Sequence, residues 1–249
     1  MVTWGDADYG GDSSEVQSQL TDVKTIYSNA TSFAALKNDG TVVTWGLWWT
    51  GGDSSDVKDE LTNVYKVYSN SFCHAALKND GTVVTWGNLD LDGNYQCDAS
   101  SATLAELTNV EDIVASEGAF AALKNDGTVV TWGSQYGGDS SAVQDKLNQV
   151  IKIVSYTPKP NIGYMGQNAF AALKQDGTVV TWGLNISGGD SSSVQNQLTD
   201  VIDISSSFFA FAALKKDETV VTWGVSSTGG DYPNSYVPEE LGEEYPDDF

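Results

Sequence analysis

The chain has 249 residues, 40% of them hydrophobic, which is enough core for one large β domain or two small ones and too much for a disordered chain. It carries 34 carboxylates against 12 basic residues, all of them lysine, for a formal charge of −22. That balance argues against nucleic acid, whose phosphates call for clustered Lys and Arg, and against an anionic membrane surface; a cationic partner, a neutral ligand or a saline environment fits better.

The chain opens on MVTWGDADYGG, with neither a basic n-region nor an apolar run, so no signal peptide is legible. No segment approaches the ~18 apolar residues that cross a bilayer. An extracellular or surface-associated setting is the expectation. From this first Trp-Gly onward the pair recurs at Trp4, Trp45, Trp86, Trp132, Trp182 and Trp223, at spacings of 41, 41, 46, 50 and 41 residues. Five of the six are preceded by a variant of (F/H)AALK(N/Q/K)D(G/E)TVVTWG. Most are followed by GGDSSxVxxxL and a V-x-x-(I/V)-x-S segment.

Each unit predicts three strands. VKTIYS, VYKVYS, EDIVAS, IKIVS and VIDIS alternate and are β-branched, FAALK is a second strand, and TVVTWG a third. Asn-Asp-Gly between the last two reads as a hairpin turn whose glycine takes a positive φ. In the fifth unit Glu218 replaces that glycine, so the turn must change type or carry strain. GGDSSEVQSQL predicts a turn and a short helix, capped by Asp12 or Ser13, with Val16 and Leu20 on one face. Repeats of about 41 residues with three or four strands predict an all-β fold: a β-propeller of short blades, most simply five, over residues 1–231. Residues 232–249, ending in VPEELGEEYPDDF, read as an acidic, solvated tail. Val2-Thr3-Trp4-Gly5 is one third strand more than five blades need; it is displaced, or pairs with another chain in a homo-oligomer, or belongs to a longer array.

AALKNDGTVVTWG, followed by a Gly-rich turn and V-x-x-I-x-S, resembles the regulator-of-chromosome-condensation repeat. It is closer still to the propeller-type β-lactamase-inhibitory family, whose chains also open on a V-x-W-G strand and have blades of about 40 residues. The resemblance covers roughly residues 1–231. It departs from that family in having five full units against seven blades, GGDSS where a GQLG-type turn belongs, and no basic surface. Nucleotide exchange and chromatin binding are therefore not carried over; the resemblance implies a propeller used as a binding platform.

Alternating strands place the loop between strands one and two, and the residues after Trp-Gly, on one "top" face. Both insertions, 88–104 and 157–168, fall there. Variation concentrated on one face marks the binding face of a repeat protein. Nine of the twelve lysines map to the opposite end, which predicts an acidic top. Trp48, Trp49, Tyr95, Tyr136, Tyr164, Met165 and Phe208, with Tyr9, are the candidate partner-binding residues, because aromatic and Met side chains are enriched at interface centres. The six Trp of the Trp-Gly pairs, Trp4 included, read as core.

Asn88, Asp90, Asp92 and Asn94 follow the spacing of a calcium loop, although position 12 is Ala99 and flanking helices are lacking. Cys73 and Cys97, the only cysteines, both map to the top and suit a disulfide in an oxidising compartment. Calcium, a bridge and a plain long loop remain three readings of 88–98. The lone His74 stands at the Phe position of FAALK and reads as packing rather than catalysis, and GGDSS recurs too regularly to be an active site. No phosphate loop, zinc spacing or triad is legible. The expectation is a non-enzymatic module presenting an acidic, aromatic loop face to a protein; a lectin-like glycan-binding propeller and a structural subunit of an assembly are the alternatives.

Overall fold

A computed structural model describes residues 1–87, 99–156 and 168–228. Its described residues contain five three-stranded antiparallel sheets in the order first-second-third. They are β1 (Val23–Ser28), β2 (Ser32–Lys37) and β3 (Val42–Gly46); β4 (Val64–Ser69), β5 (Cys73–Lys78) and β6 (Val83–Gly87); and β7 (Val110–Ala115), β8 (Ala119–Lys124) and β9 (Val129–Gly133). The last two are β10 (Val150–Ser155), β11 (Ala169–Lys174) and β12 (Val179–Gly183), then β13 (Val201–Ser206), β14 (Ala210–Lys215) and β15 (Val220–Gly224). These are the blades of a five-bladed β-propeller fold, and every strand triplet falls where the repeat predicts it.

The hairpin turns explain why the second and third strands meet in one register. Asp39 Oδ1 accepts the Thr41 N–H at 2.9 Å and the Thr41 hydroxyl at 2.6 Å, and the same clasp closes the turns at Asp80, Asp126, Asp176 and Asp217. The threonine hydroxyl, then its N–H, holds each of these carboxylates below its usual pKa. Glu218 keeps the turn type of its siblings. Its φ is 68° against 80° for Gly40, and its N–H reaches Lys215 O at 3.0 Å as that of Gly40 reaches Lys37 O. A side chain held left-handed costs roughly 1 kcal/mol, so of the two expectations the strained one holds.

The connectors between blades are not the expected helices. GGDSS segments form turns and single 3-10 turns such as Ser55–Val57 and Gln195–Gln197, because a run this short offers too few hydrogen bonds to nucleate an α-helix. Asp12 Oδ1 accepts the Ser14 N–H at 2.8 Å, which makes an Asx turn rather than a helix cap. A six-residue α-helix, α1 (Ser101–Glu106), appears only in the rewritten connector before β7. Each connector ends on a left-handed residue (Asp22, Asn63, Asn109, Gln149, Asp200) and a buried leucine.

Blades join by a repeated seam. Ala34, Leu36 and Val42 of the first blade pack with Leu61 and with Val64, Val67, Ala76, Val84 and Trp86 of the second. The second-to-third, third-to-fourth and fourth-to-fifth seams use the corresponding positions. One backbone bond accompanies each: the N–H of Val64, Val110, Val150 or Val201 donates at 2.9 Å to the carbonyl of the preceding turn glycine, Gly40, Gly81, Gly127 or Gly177.

Trp4 corrects the core assignment. Trp45, Trp86, Trp132, Trp182 and Trp223 are buried and stack on Phe33, His74, Phe120, Phe170 and Phe211 at 5.1–5.4 Å. Trp4 is 84% exposed. It does stand at a third-strand station. Thr3 Oγ1 lies 3.0 Å from Ser13 Oγ, as Thr131 lies 2.9 Å from Ser140, and Gln17 Nε2 donates to Met1 O as Gln144 Nε2 does to Val129 O. What it lacks is a second strand bringing an aromatic ring against it.

Candidate functional site: the loop face and its grooves

Pairing of Ser32 with Gly46 sets the loop after β1 beside the residues after β3, and Leu47 N–H donates to Thr31 O at 2.9 Å. The same contact joins Ser134 to Gly118, Leu184 to Asn168 and Val225 to Phe209, so both loop sets share one end of the blades. Val23 pairs with Lys37, Val64 with Lys78 and Val150 with Lys174 at the other end, which gathers the strand lysines there. Aspartates accompany them. Lys37 meets Asp39 at 3.3 Å, Lys66 meets Asp112 at 3.8 Å, Lys152 meets Asp203 at 2.6 Å and Lys216 meets Asp200 at 3.7 Å. The lysine end is therefore a mixed surface of partly exposed pairs, each worth little by itself.

Trp48 and Trp49 lie in the helical turn Trp48–Thr50, 54% and 44% exposed, with their rings edge-to-face at 5.4 Å. They wall a groove of 990 Å³ whose floor is β3 and whose far wall is the first connector, including Tyr9, Asp12 and Glu15. They also wall a smaller groove of 230 Å³ that reaches Trp86. A second groove of 990 Å³ occupies the matching station along β12, with Tyr136 for Tyr9, Asp139 for Asp12, Ile186 for Trp49 and Asp190 for Asp53. The repeat thus builds the groove, and the residues after Trp-Gly vary its wall. Asp12 and Asp139 are held below the usual carboxylate range by the N–H groups of Ser14 and Ser141, so both walls keep their negative charge.

Phe208 stands apart from these grooves. It is half-buried in an aromatic group with Phe209 and Tyr156, at 4.3 Å and 5.4 Å between ring centres, on the loop before β14. Tyr95, Tyr164, Met165, Asn88, Asp90, Asp92, Asn94 and Cys97 lie outside the described residues. Cys73 is fully buried and disulfide-bonded. Among the described residues no cluster of three or more His, Cys, Asp or Glu is arranged to hold a metal.

His74 is a packing residue. It is fully buried and stacked on Trp86, with Ser69 Oγ 2.7 Å from Nδ1 and Ser32 Oγ, of the preceding blade, 3.0 Å from Nε2. Burial pushes its pKa down to about 3, so it stays neutral. The repeated serines Ser13, Ser140 and Ser191 are buried and bonded to Thr3, Thr131 and Thr181, a structural role.

Asn29 is a hub that sequence reading passed over. Its Oδ1 accepts from Thr31 N–H, Ser32 N–H and the Ser32 hydroxyl, and its Nδ2 donates to Thr50 O at 2.7 Å. Next to it Trp86 Nε1 donates to Gly51 O at 3.1 Å, a bond repeated from Trp45 to Gly10, Trp182 to Gly137 and Trp223 to Gly188. The counterparts one blade on, Asn70 Nδ2 and Trp132 Nε1, are buried without a partner among the described residues. The available signal was the missing Gly-Gly-Asp after Trp86.

No protein-family model matches the chain, and no curated protein matches it. Solved structures do. Prp20p from Saccharomyces cerevisiae, described with its binding to Gsp1p and histones, is 18% identical over 84% of this chain and 58% of its own, with a TM-score of 0.50. Human WBSCR16 is 17% identical over 81% of this chain and 61% of its own, with a TM-score of 0.49. The CRINKLY WD40 ectodomain of the Arabidopsis thaliana receptor kinase ACR4 is 15% identical over 84% and 65%, with a TM-score of 0.47. The chain spans about 60% of the length of these structures. What it shares with Prp20p is the fold: a β-propeller built of short repeated blades.

Proposed function

We propose that this chain is a non-enzymatic interaction module that grips a protein partner on its loop face, with Trp48 and Trp49 as the anchors. The observation that carries the reading is their exposure. The five stacked Trp of the Trp-Gly pairs are buried, whereas these two stand adjacent and open between two grooves. Large rigid aromatics at a groove wall are the side chains that dominate interface energies. Protein binding by a propeller of this kind has a precedent in the binding of Gsp1p and histones described for Prp20p. The acidic walls of the larger groove favour a partner segment carrying lysine or arginine.

The test is cross-linking mass spectrometry of partners captured by the full chain, compared with a Trp48→Ala/Trp49→Ala variant of unchanged circular dichroism. A partner that cross-links to the 47–58 region and is lost with the double variant supports the reading. A partner retained equally by both rejects this site, and binding confined to a glycan array transfers the site to carbohydrate.

A further inference from the structure

Four seams join five blades, and two blade faces are left over. Among the described residues no hydrophobic cluster joins the fifth blade to the first. On the first blade Ile26 is 45% exposed, whereas its counterparts Val67, Ile113, Ile153 and Ile204 are at most 7% exposed. On the fifth blade Leu214 and Val220 are 38% and 58% exposed; the matching leucines and valines of the other four blades do not exceed 8%. The two faces are the two halves of one seam, open at Leu214 and Val220 on one and at Ile26 on the other. The Ala212, Leu214 and Val220 side corresponds to Ala34, Leu36 and Val42, and Val23 and Ile26 to Val64 and Val67, beside Val43, which is already buried with Leu20, Ala35 and Trp45.

We propose that a second copy of this chain fills this seam, the fifth blade of one molecule docking on the first blade of the next in the geometry of the internal seams. The halves differ from one another, so the contact is head-to-tail rather than two-fold symmetric. It continues an interface that the molecule already builds four times.

Two features hold this docking in check. At the internal seams the turn glycine lies against the left-handed residue of the next connector. A Cβ on Gly40 would stand 3.2 Å from Asn63 Cα, and one on Gly81 would stand 3.0 Å from Asn109 Cα. The fifth turn offers Glu218 instead, so docking presses its Cβ toward Asp22 of the second copy and brings two carboxylates together. Residues 1–5 already stand at the third-strand station that the incoming β15 would take. Few bonds hold them there, among them Thr3 to Ser13 and Gln17 to Met1 O. Docking displaces them.

Sedimentation velocity of the full chain across a range of concentrations tests the proposal. Leu214→Glu and Ile26→Glu change side chains already open to solvent, so both variants fold. Each should weaken self-association by at least about 30-fold, the loss expected at the centre of an interface. Mixed together, they retain one live half each and should form a 1:1 pair that grows no further. Glu218→Gly, and separately removal of residues 1–5, should tighten self-association several-fold. The proposal is overturned if Glu218→Gly stays monomeric throughout, or if the mixed variants fail to pair. It is equally overturned if shortening the chain to residues 1–228 is what first exposes an associating face, for then the tail covers it.

Discussion

The seam between the first and second blades and the seam between the second and third are drawn from the same repeat positions, yet their polar stitching differs. In the first, Thr50 O and Gly51 O receive Asn29 Nδ2 and Trp86 Nε1. In the second, Asn70 Nδ2 and Trp132 Nε1 are equally buried and find no acceptor among the described residues. The apolar contacts are equivalent in both. Between the two, the sequence after Trp-Gly has changed from a Gly-Gly-Asp turn to residues 88–98. The apolar contacts alike in both seams come from the strands and the connector leucine, and a buried donor left without an acceptor costs about 1–3 kcal/mol.

Paired substitutions separate the two seams. Asn29→Ala removes four hydrogen bonds and should cost about 3 kcal/mol in urea denaturation, while Asn70→Ala gives up the bonds from the Phe72 and Cys73 N–H groups and a donor that has no acceptor among the described residues, for about 1 kcal/mol. Equal costs would mean that Asn70 Nδ2 finds an acceptor in solution. His74 supplies the next effect, since the corresponding residue across the second seam is Phe120. Its folded pKa is depressed to about 3, so its contribution is whole above the unfolded value of 6.5 and is lost as pH falls from there toward 3. The slope is about 1.4 kcal/mol per pH unit for one proton. His74→Phe should abolish that slope, read as a stability gap between variant and parent that changes steadily from pH 6 to pH 4. The smallest effect comes from the indoles. Trp86→Phe should cost about 1 kcal/mol more than Trp132→Phe, because among the described residues only Trp86 Nε1 has an acceptor to lose.

Much of this was legible in the chain. The strand triplets, the buried Trp of five units and the packing role of His74 follow from local pattern, and local pattern decides them. Trp4 was misread for an instructive reason: Val2-Thr3-Trp4-Gly5 is the same local sequence as Val221-Thr222-Trp223-Gly224, and one is exposed while the other is buried. The difference lies in a second strand, which no window around Trp4 contains. The grooves were legible only as a list of aromatics on one face. The floor that unites Tyr9 with Trp48 and Trp49 is β3, and Phe208 fell elsewhere because the loop after a first strand and the loop after a third strand share an end without sharing a groove.

The division of the interior into seams has a mechanical consequence. A domain with one continuous core opens all at once, whereas a row of neighbour contacts can unzip from its ends. The first and fifth blades each hold one seam between blades and the middle three hold two. Amide exchange should accordingly be fastest in β1–β3 and β13–β15 and slowest in β7–β9. The strength of this molecule is then a quantity per joint, set by the weakest hinge in the row, and a loop rewritten between two joints leaves the others as strong as before.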